Sequence, residues 1–201
     1  MFFDDLEAIM KNSYRNFHSK GLDYLCLKRS PELTIKAYFF DEIEQQDQIV
    51  APHDHRYMFR TEVLAGSLVD SRYKVLETRN DYFSACNKQV YQQFSWHSPL
   101  LGGEGFSWRR EIRLENLGGS RLYRGESLTS KPEHIHTISV VPETVLLLYQ
   151  FEDSIPNHWA TRTFVPGSNK EPPKTDGLYD QMPIDHVIKR MVQLRSMTTA
   201  S

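Results

Sequence analysis

Cysteine is scarce in this sequence: Cys26 and Cys86 are the only two among 201 residues, and they form no CxxC pair. A disulfide framework is therefore not expected, and a reducing cytoplasm is the predicted location. Long apolar runs are also missing, and no stretch approaches the roughly 20 apolar residues of a membrane span. The first residues, MFFDDLEAIM, carry acids where a secretory signal needs a basic start, so no signal peptide is predicted.

An excess of charge of one sign is absent as well. The sequence has 24 basic and 26 acidic residues, a net charge of −2, and no basic arm. Bulk electrostatics therefore gives no reason to expect nucleic acid or an anionic membrane as a partner. With 39% hydrophobic residues, the chain is predicted to be one globular domain spanning residues 1–201.

The two ends of the chain show helical spacing. We predict a first helix over residues 4–20 and a second over 183–197, after an extended loop that begins at 167. The apolar positions that carry these predictions are Leu6, Met10, Tyr14 and Phe17 in the first helix, and Ile184, Val187, Ile188, Met191 and Leu194 in the second. Both apolar stripes are expected to dock onto a core.

The chain between these helices, about residues 22–166, has a different pattern. About ten short runs are rich in β-branched and aromatic residues, among them LTIKAYFF, QVYQQFSW and TVLLLYQFE, and turn-forming residues separate them. Many short strands with no long helix between them predict an all-β fold, an antiparallel sandwich or barrel.

Two histidine pairs are the most informative feature of the sequence. His53 and His55 are one residue apart, and so are His134 and His136. Because side chains alternate along a strand, each pair is expected to project to one side, where imidazole nitrogens can reach a single metal ion. Such ligands suit iron, zinc, copper or nickel better than calcium or magnesium, which prefer oxygen. A surface or core histidine pair is the alternative interpretation of either motif.

The stretch around the first pair resembles the first motif of the cupin family, which reads HxH, three or four residues, Glu, six residues, Gly. Here the spacing continues from His55 to Phe59 and Gly66, so phenylalanine occupies the glutamate position. Glu62 is three residues from Phe59 and would point away from the histidines on a regular strand, so we do not count it as a ligand.

The second cupin motif is matched more loosely. Gly125 and Pro132 precede His136, which stands at the motif's ligand position, and His134 replaces the motif's glycine. The resemblance covers residues of about 50–153. It implies a cupin barrel, a double-stranded β-helix or jelly roll, with the two helices packed outside and with His53, His55 and His136 as metal ligands.

A cupin site without the glutamate resembles the three-histidine thiol dioxygenases, such as cysteine dioxygenase and cysteamine dioxygenase. This resemblance implies a mononuclear non-haem iron dioxygenase that acts on a small thiol or amino-thiol with dioxygen, as a monomer or homodimer. Fe(II) is the expected metal, with zinc, nickel or manganese as alternatives. Without an anionic ligand, the site favours an anionic substrate donor such as a thiolate.

Other residues receive roles from the same resemblance. Tyr149 follows His136 on the next predicted strand, where it would hydrogen-bond bound oxygen or substrate, or simply pack in the barrel. His134 is a candidate outer-sphere acid or base, an alternative ligand, or a histidine at the barrel mouth. Phe59 would line the substrate side. Arg29 and Arg162 are equal candidates for binding a substrate carboxylate.

A glycine-rich loop, HSPLLGGEG, could cover a pocket, and the aromatic residues Phe94, Trp96, Phe106 and Trp108 flank it. Two further functions stay open at this point. One is a cupin that uses another divalent metal for isomerase, lyase or hydrolase chemistry. The other is a non-catalytic cupin that binds a ligand or a protein partner.

Overall fold

The computed structural model describes residues 5–41, 50–76, 89–97, 103–154, 160–174, 177 and 179–199, and Cys86 lies outside them. In chain order the elements are α1 (Leu6–Lys11), β1 (Tyr14–Arg15), β2 (Asp23–Arg29), β3 (Leu33–Phe40), β4 (Tyr57–Ala65), β5 (Ser67–Leu76), β6 (Val90–His97), β7 (Gly105–Tyr123), β8 (Ser127–Ser130), β9 (Ile135–Val140), β10 (Thr144–Asp153), β11 (Thr161–Pro166), β12 (Asp180–Gln181) and α2 (Ile184–Thr199).

The strands form two antiparallel sheets. The first sheet has the order β12-β1-β2-β3-β10-β4-β8, and the second has the order β11-β6-β7-β5-β9. From β7 onward the chain alternates between the sheets, which is the jelly-roll pattern. The all-β barrel with a helix near each end, predicted from the sequence, is therefore confirmed.

A shared core holds one end of the two sheets together. Phe40, Val63 and Leu146 from the first sheet pack with Leu68 and Val140 from the second, and each is at most 5% exposed. Burial of apolar side chains of this size stabilises a fold by roughly 1.5–3 kcal/mol each. The contact fixes the separation of the sheets, and beside it they enclose a cavity.

The outer face of the first sheet is covered by the helices. On β3, Ile35 and Ala37 pack against a cluster that includes Val187 and Leu194 of α2. Lys36, which lies between them in the sequence, points to the opposite face and lines the cavity. Strand alternation thus divides β3 into a helix-facing row and a cavity-facing row.

The first helix is much shorter than predicted. It spans Leu6–Lys11 instead of 4–20, with Asp5 as its N-cap and Asn12 as its C-cap. Tyr14–Arg15 instead forms β1 between β2 and β12, and Asn16 then has a φ of 52°, outside the helical region. Strand pairing therefore outweighs the helical spacing of the apolar residues beyond Asn12.

The second helix agrees closely with its prediction, since Ile184–Thr199 follows Pro183 directly. Its apolar stripe is only partly docked. Val187 and Leu194 are buried, whereas Ile184 and Ile188 are 49% and 47% exposed. Neither helix in the described part of the chain has the length and hydrophobicity needed to span a membrane.

One long strand runs through a Leu-Gly-Gly sequence, which is typical of a turn. β7 continues through Gly118 and Gly119. Its register to β5 shifts there, with Arg72 opposite Gly118 and Tyr73 opposite Asn116. The extra residue forms a β-bulge, and the positive φ of Gly118, 96°, suits a glycine at such a bulge.

Gly66 is the residue at which the chain passes from β4 of the first sheet to β5 of the second. Its φ is +72°, and a Cβ atom there would lie 2.9 Å from the Cα of Thr144. Gly125 has a φ of +85° but no described atom within 4 Å of the same position. We expect Gly125→Ala to cost about 1–2 kcal/mol of unfolding free energy from the backbone conformation alone.

We expect Gly66→Ala to cost a further 1–3 kcal/mol or so, because the new methyl group overlaps β10. Urea unfolding of both variants measures the difference. Equal losses for the two variants would show that the corner tolerates a side chain.

Candidate metal centre

The first histidine motif lies between strands of the second sheet. The backbone N–H of His53 donates to the carbonyl of His136 at 2.9 Å, and the reciprocal bond is also 2.9 Å. On the other side, Asp54 donates its N–H to the carbonyl of Arg162 at 3.1 Å. The segment 52–55 is therefore fixed between β9 and β11, and this pairing places the two histidine motifs side by side.

Three imidazole rings converge at this point. One ring nitrogen each from His53, His55 and His136 lies within 4.8 Å of the other two. The Nε2 atoms of His55 and His136 are 3.0 Å apart. This distance suits an N–H···N hydrogen bond between neutral rings, and it equally suits two lone pairs that face one cation. Two nitrogens that each lie about 2.1 Å from an ion are about 3.0 Å apart at the octahedral angle of about 90° and about 3.4 Å apart at the tetrahedral angle.

Hydrogen bonds behind the rings orient two of them. Nδ1 of His53 is 2.9 Å from the carbonyl of Ala51, and Nδ1 of His136 is 2.8 Å from a carboxylate oxygen of Asp70. When each Nδ1 carries the proton and donates it to these acceptors, each Nε2 presents its lone pair. Carboxylate and carbonyl partners of this kind fix histidine ligands at metal sites.

The electrostatics of the cluster favour neutral rings. Burial, and secondly the neighbouring His136, lower the pKa of His53 to about 3. The pKa of His55 is also well below its ordinary value, first because of burial and then because of His53 and His136. Neutral imidazole is the form that binds a metal, so the three rings fit a divalent transition metal as donors.

Asp70 is itself held from behind. The Nε atom of Arg72 lies 2.6 Å from its second carboxylate oxygen, and Arg72 also donates to the hydroxyl of Ser130. Asp70 is 2% exposed, so its charge is compensated by the guanidinium rather than by water. The pair keeps an acceptor in a fixed place behind His136.

Phe59 occupies the position next to the rings that the motif assigns to glutamate. Its ring centroid is 4.6 Å from that of His55 and 5.4 Å from that of His136. Glu62 is not among the residues that line the cavity. In the described part of the chain, the metal-ligand cluster is thus made of histidines and contains no carboxylate.

The three histidines open onto a cavity of about 710 Å³ between the sheets. Its walls are mainly aromatic and aliphatic, and they include Phe17, Tyr38, Phe40, Trp96, Phe106 and Leu146. A largely apolar cavity with a few polar groups is the usual form of a small-molecule site.

His134 does not join the cluster. It precedes the first residue of β9 in a turn, where its N–H donates to the carbonyl of Lys131 at 3.2 Å. Strand alternation therefore does not extend from His136 back to His134, whose side chain is exposed and lies outside the cavity. The expectation that the two histidines share an inward face is wrong.

Tyr149 lies on the wrong face of β10 for the predicted role. It packs against the helix-facing cluster, whereas its neighbours Leu148 and Gln150 line the cavity. Glu62 acts electrostatically on its phenol, and burial is the main cause of the raised pKa of Tyr149. The alternative of a packed tyrosine is the one that the structure supports.

Neither candidate arginine lines the cavity. Arg29, at the end of β2, donates to the side chain of Asn12 at 2.8 Å. Arg162 binds Asp54 through its backbone N–H and its Nε, both at 2.6 Å. Its role in this structure is to brace the segment that carries the first histidine pair.

Of the four aromatic residues that flank the glycine-rich loop, two line the cavity and two do not. Trp96 and Phe106 line the cavity, with ring centroids 4.4 Å apart. Phe94 is fully buried, and Trp108 is 41% exposed. Residues 98–102 of the loop lie outside the described residues, so the predicted cover stays a prediction.

Sequence reasoning missed two charged residues that face the cavity, Asp70 and Lys36. Each interrupts an apolar strand, in SLVDSRY and LTIKAYFF respectively. A charge at an inward position of such a strand costs free energy unless it has a partner or a role. A charged residue within a predicted strand was therefore the feature of the sequence that could have indicated both residues.

The chain matches no family model, and no curated protein matches it. Among solved structures it is similar to a cupin superfamily protein of Desulfitobacterium hafniense, at 12% identity over 66% of this chain and 78% of that chain, with a TM-score of 0.37. It is also similar to Streptomyces albus HEPD with 2-hydroxyethylphosphonate and Fe(II) bound, at 13% identity over 72% and 25% of the chains, with a TM-score of 0.39.

A hydroquinone 1,2-dioxygenase from Sphingomonas sp. TTNP3, with 4-hydroxybenzoate bound, is similar at 10% identity over 65% of each chain, with a TM-score of 0.37. Similarity at this level concerns the fold alone. The narrower resemblance to thiol dioxygenases has no counterpart among these structures.

Two alanine variants test which histidine of the second motif, His134 or His136, is a metal ligand. We expect His136→Ala to lose most of the bound metal, because it removes one of three ligands together with the contact to Asp70. His134→Ala is the matched control and should retain the metal, since its side chain lies outside the cavity. Metal content per chain after identical purification measures both. Loss of metal in His134→Ala with retention in His136→Ala would reverse the assignment.

Phe59→Glu tests whether residue 59 reaches the ion. We expect metal affinity to rise by about tenfold or more, because a carboxylate adds both a ligand and an opposite charge. Phe59→Gln is the control, with the same shape and no charge. Competition with a chromogenic chelator gives the affinities. Equal metal affinities for the two variants would show that the side chain of residue 59 does not reach the ion.

Proposed function

We propose that this protein is a mononuclear non-haem iron dioxygenase that acts on a small thiol or amino-thiol. The observation that carries the proposal is the convergence of His53, His55 and His136 at the wall of a largely apolar cavity. Three nitrogen ligands from one face leave other coordination positions of a metal open toward the cavity.

The neutral ligand set supports a thiol substrate. With Phe59 in place of an acid, the described ligands contribute no negative charge, so the full charge of a divalent ion stays available to an anionic donor. A thiolate is such a donor, and it is soft enough to suit iron. When bound, Fe(II) supplies the redox chemistry with dioxygen that the side chains lack.

The chain's own residues have defined tasks in this proposal. Asp70 and the carbonyl of Ala51 hold the Nδ1 protons of their histidines, so that Nε2 stays a ligand. The apolar cavity excludes water from the reacting groups. The overall conversion, R–SH plus O₂ to R–SO₂H, places both oxygen atoms on sulfur and needs no further reductant.

Metal analysis combined with oxygen uptake tests the proposal. We expect near-stoichiometric iron in protein purified without added metal, and oxygen consumption on addition of cysteine, cysteamine or 3-mercaptopropionate. His136→Ala is the control and should consume no oxygen above the background of free iron. Zinc, nickel or manganese without oxygen uptake would instead indicate another metal-dependent reaction, and absence of metal would indicate a ligand-binding protein.

A further inference from the structure

Lys36 is a buried cation in the cavity wall. It lies in the middle of β3, opposite Leu148 of β10, and Leu148 is in turn opposite Thr61 of β4. All three residues line the cavity. Lys36 is only 8% exposed. Its two neighbours in the sequence point to the opposite face of the sheet and pack against the helices.

Two tyrosine rings lie beside the Lys36 ammonium group, and the thiol of Cys26, opposite Lys36 on β2, and the carboxylate of Asp153 act on it electrostatically. Its Nζ atom lies 5.6 Å from the ring centroid of Tyr24 and 5.4 Å from that of Tyr57. Among the described residues, no hydrogen bond or ion pair holds it. Cation–π contacts of this kind compensate only part of the cost of burying a charge.

The other ionised groups near the cavity already have partners. Asp54 binds Arg162, and the Nε of Arg56 is 3.1 Å from the carboxylate of Asp153. Asp70 lies against Arg72, as described above. Lys174 also contributes to the lining, but it is exposed at the surface. Lys36 is thus the buried positive charge that the described part of the cavity leaves without a counter-ion.

The position of Lys36 relates it to the metal centre. The ring centroid of Tyr57 is 5.4 Å from the Nζ atom of Lys36 and 5.2 Å from the ring centroid of His55. All three residues line the same cavity, so Lys36 lies near the candidate metal centre. The cavity of about 710 Å³ is far larger than a two- or three-carbon thiol requires, and it lies in the range that holds drug-sized ligands.

We infer that the substrate is an organic anion with an apolar body, whose anionic group binds the ammonium of Lys36 while the body packs against the aromatic wall. The inference rests on the proposed function for the position of the reacting group, and it extends that proposal from a minimal thiol to a larger, acidic one. Burial lowers the pKa of Lys36 to about 8, so the group is still mainly cationic at pH 7.

A matched pair of probes tests the inference by isothermal titration calorimetry at pH 7. The probes are 4-phenylbutyrate and 4-phenylbutanamide, which share the apolar body and differ in charge. We expect the metal-loaded protein to bind the carboxylate about 10- to 100-fold more tightly than the amide. Lys36→Met should reduce this ratio to within about twofold, and Lys36→Arg should keep most of it because the charge remains.

Lys28→Met is the control, since Lys28 is an exposed lysine on the neighbouring strand. It should leave the ratio unchanged. Thermal unfolding of each variant shows whether the fold is intact, and Lys36→Arg keeps the test valid should the methionine variant fail to fold. Failure of both probes to bind, equal affinity for the two, or an unchanged ratio in Lys36→Met would overturn the inference.

The same titration with His136→Ala separates this inference from the proposed function. If Lys36 binds the anion, the preference for the carboxylate persists when the metal centre is disrupted. If the preference disappears there while Lys36→Met retains it, the carboxylate binds the metal and the inference is wrong. If the unmutated protein holds no iron as purified and still shows a preference that depends on Lys36, the dioxygenase proposal fails and the anion site stands.

Discussion

Two backbone hydrogen bonds between His53 and His136 hold the candidate metal centre together. They join a segment that precedes β4 to a strand more than 80 positions later, so neither histidine motif is a site by itself. The second bridge, to Thr163 of β11, fixes the segment from the other side. Because the segment is held on both sides, the two histidine side chains it carries have little freedom to turn away from the third.

Two acids that line the cavity are each held by a neighbouring arginine. Asp70 lies behind His136 and is held by Arg72, while Asp54 is held by Arg162. His53 and His55, whose pKa values are lowered mainly by burial, meet the cavity as neutral donors. Lys36 differs from these acids, since no ion pair among the described residues holds its ammonium group, and the rings of Tyr24 and Tyr57 lie beside it. A site that binds a metal at one end and an anion at the other would have this distribution of charge.

The helices cover the outer face of the first sheet. Because they pack against Ile35 and its neighbours on β10, the alternate side chains of both strands point to the cavity. Lys36 and Leu148 therefore face the cavity that holds the candidate metal centre, and Tyr149 faces the helices. A tyrosine one position earlier or later on β10 would have been placed to contact a ligand.

The sequence by itself determined the all-β class and the helix after Pro183, because both depend on local periodicity, and the resemblance to the cupin motifs implied the three histidines that converge. It could not determine the end of the first helix, since strand pairing of Tyr14–Arg15 with distant segments outweighs local helical spacing. It could not decide between the alternatives for His134, Tyr149 and the two arginines, because the face on which a side chain lies depends on where a strand begins and what covers it. The roles of Asp70 and Lys36 came only from the tertiary structure, which brings a carboxylate behind one histidine and leaves one buried ammonium without a counter-ion among the described residues.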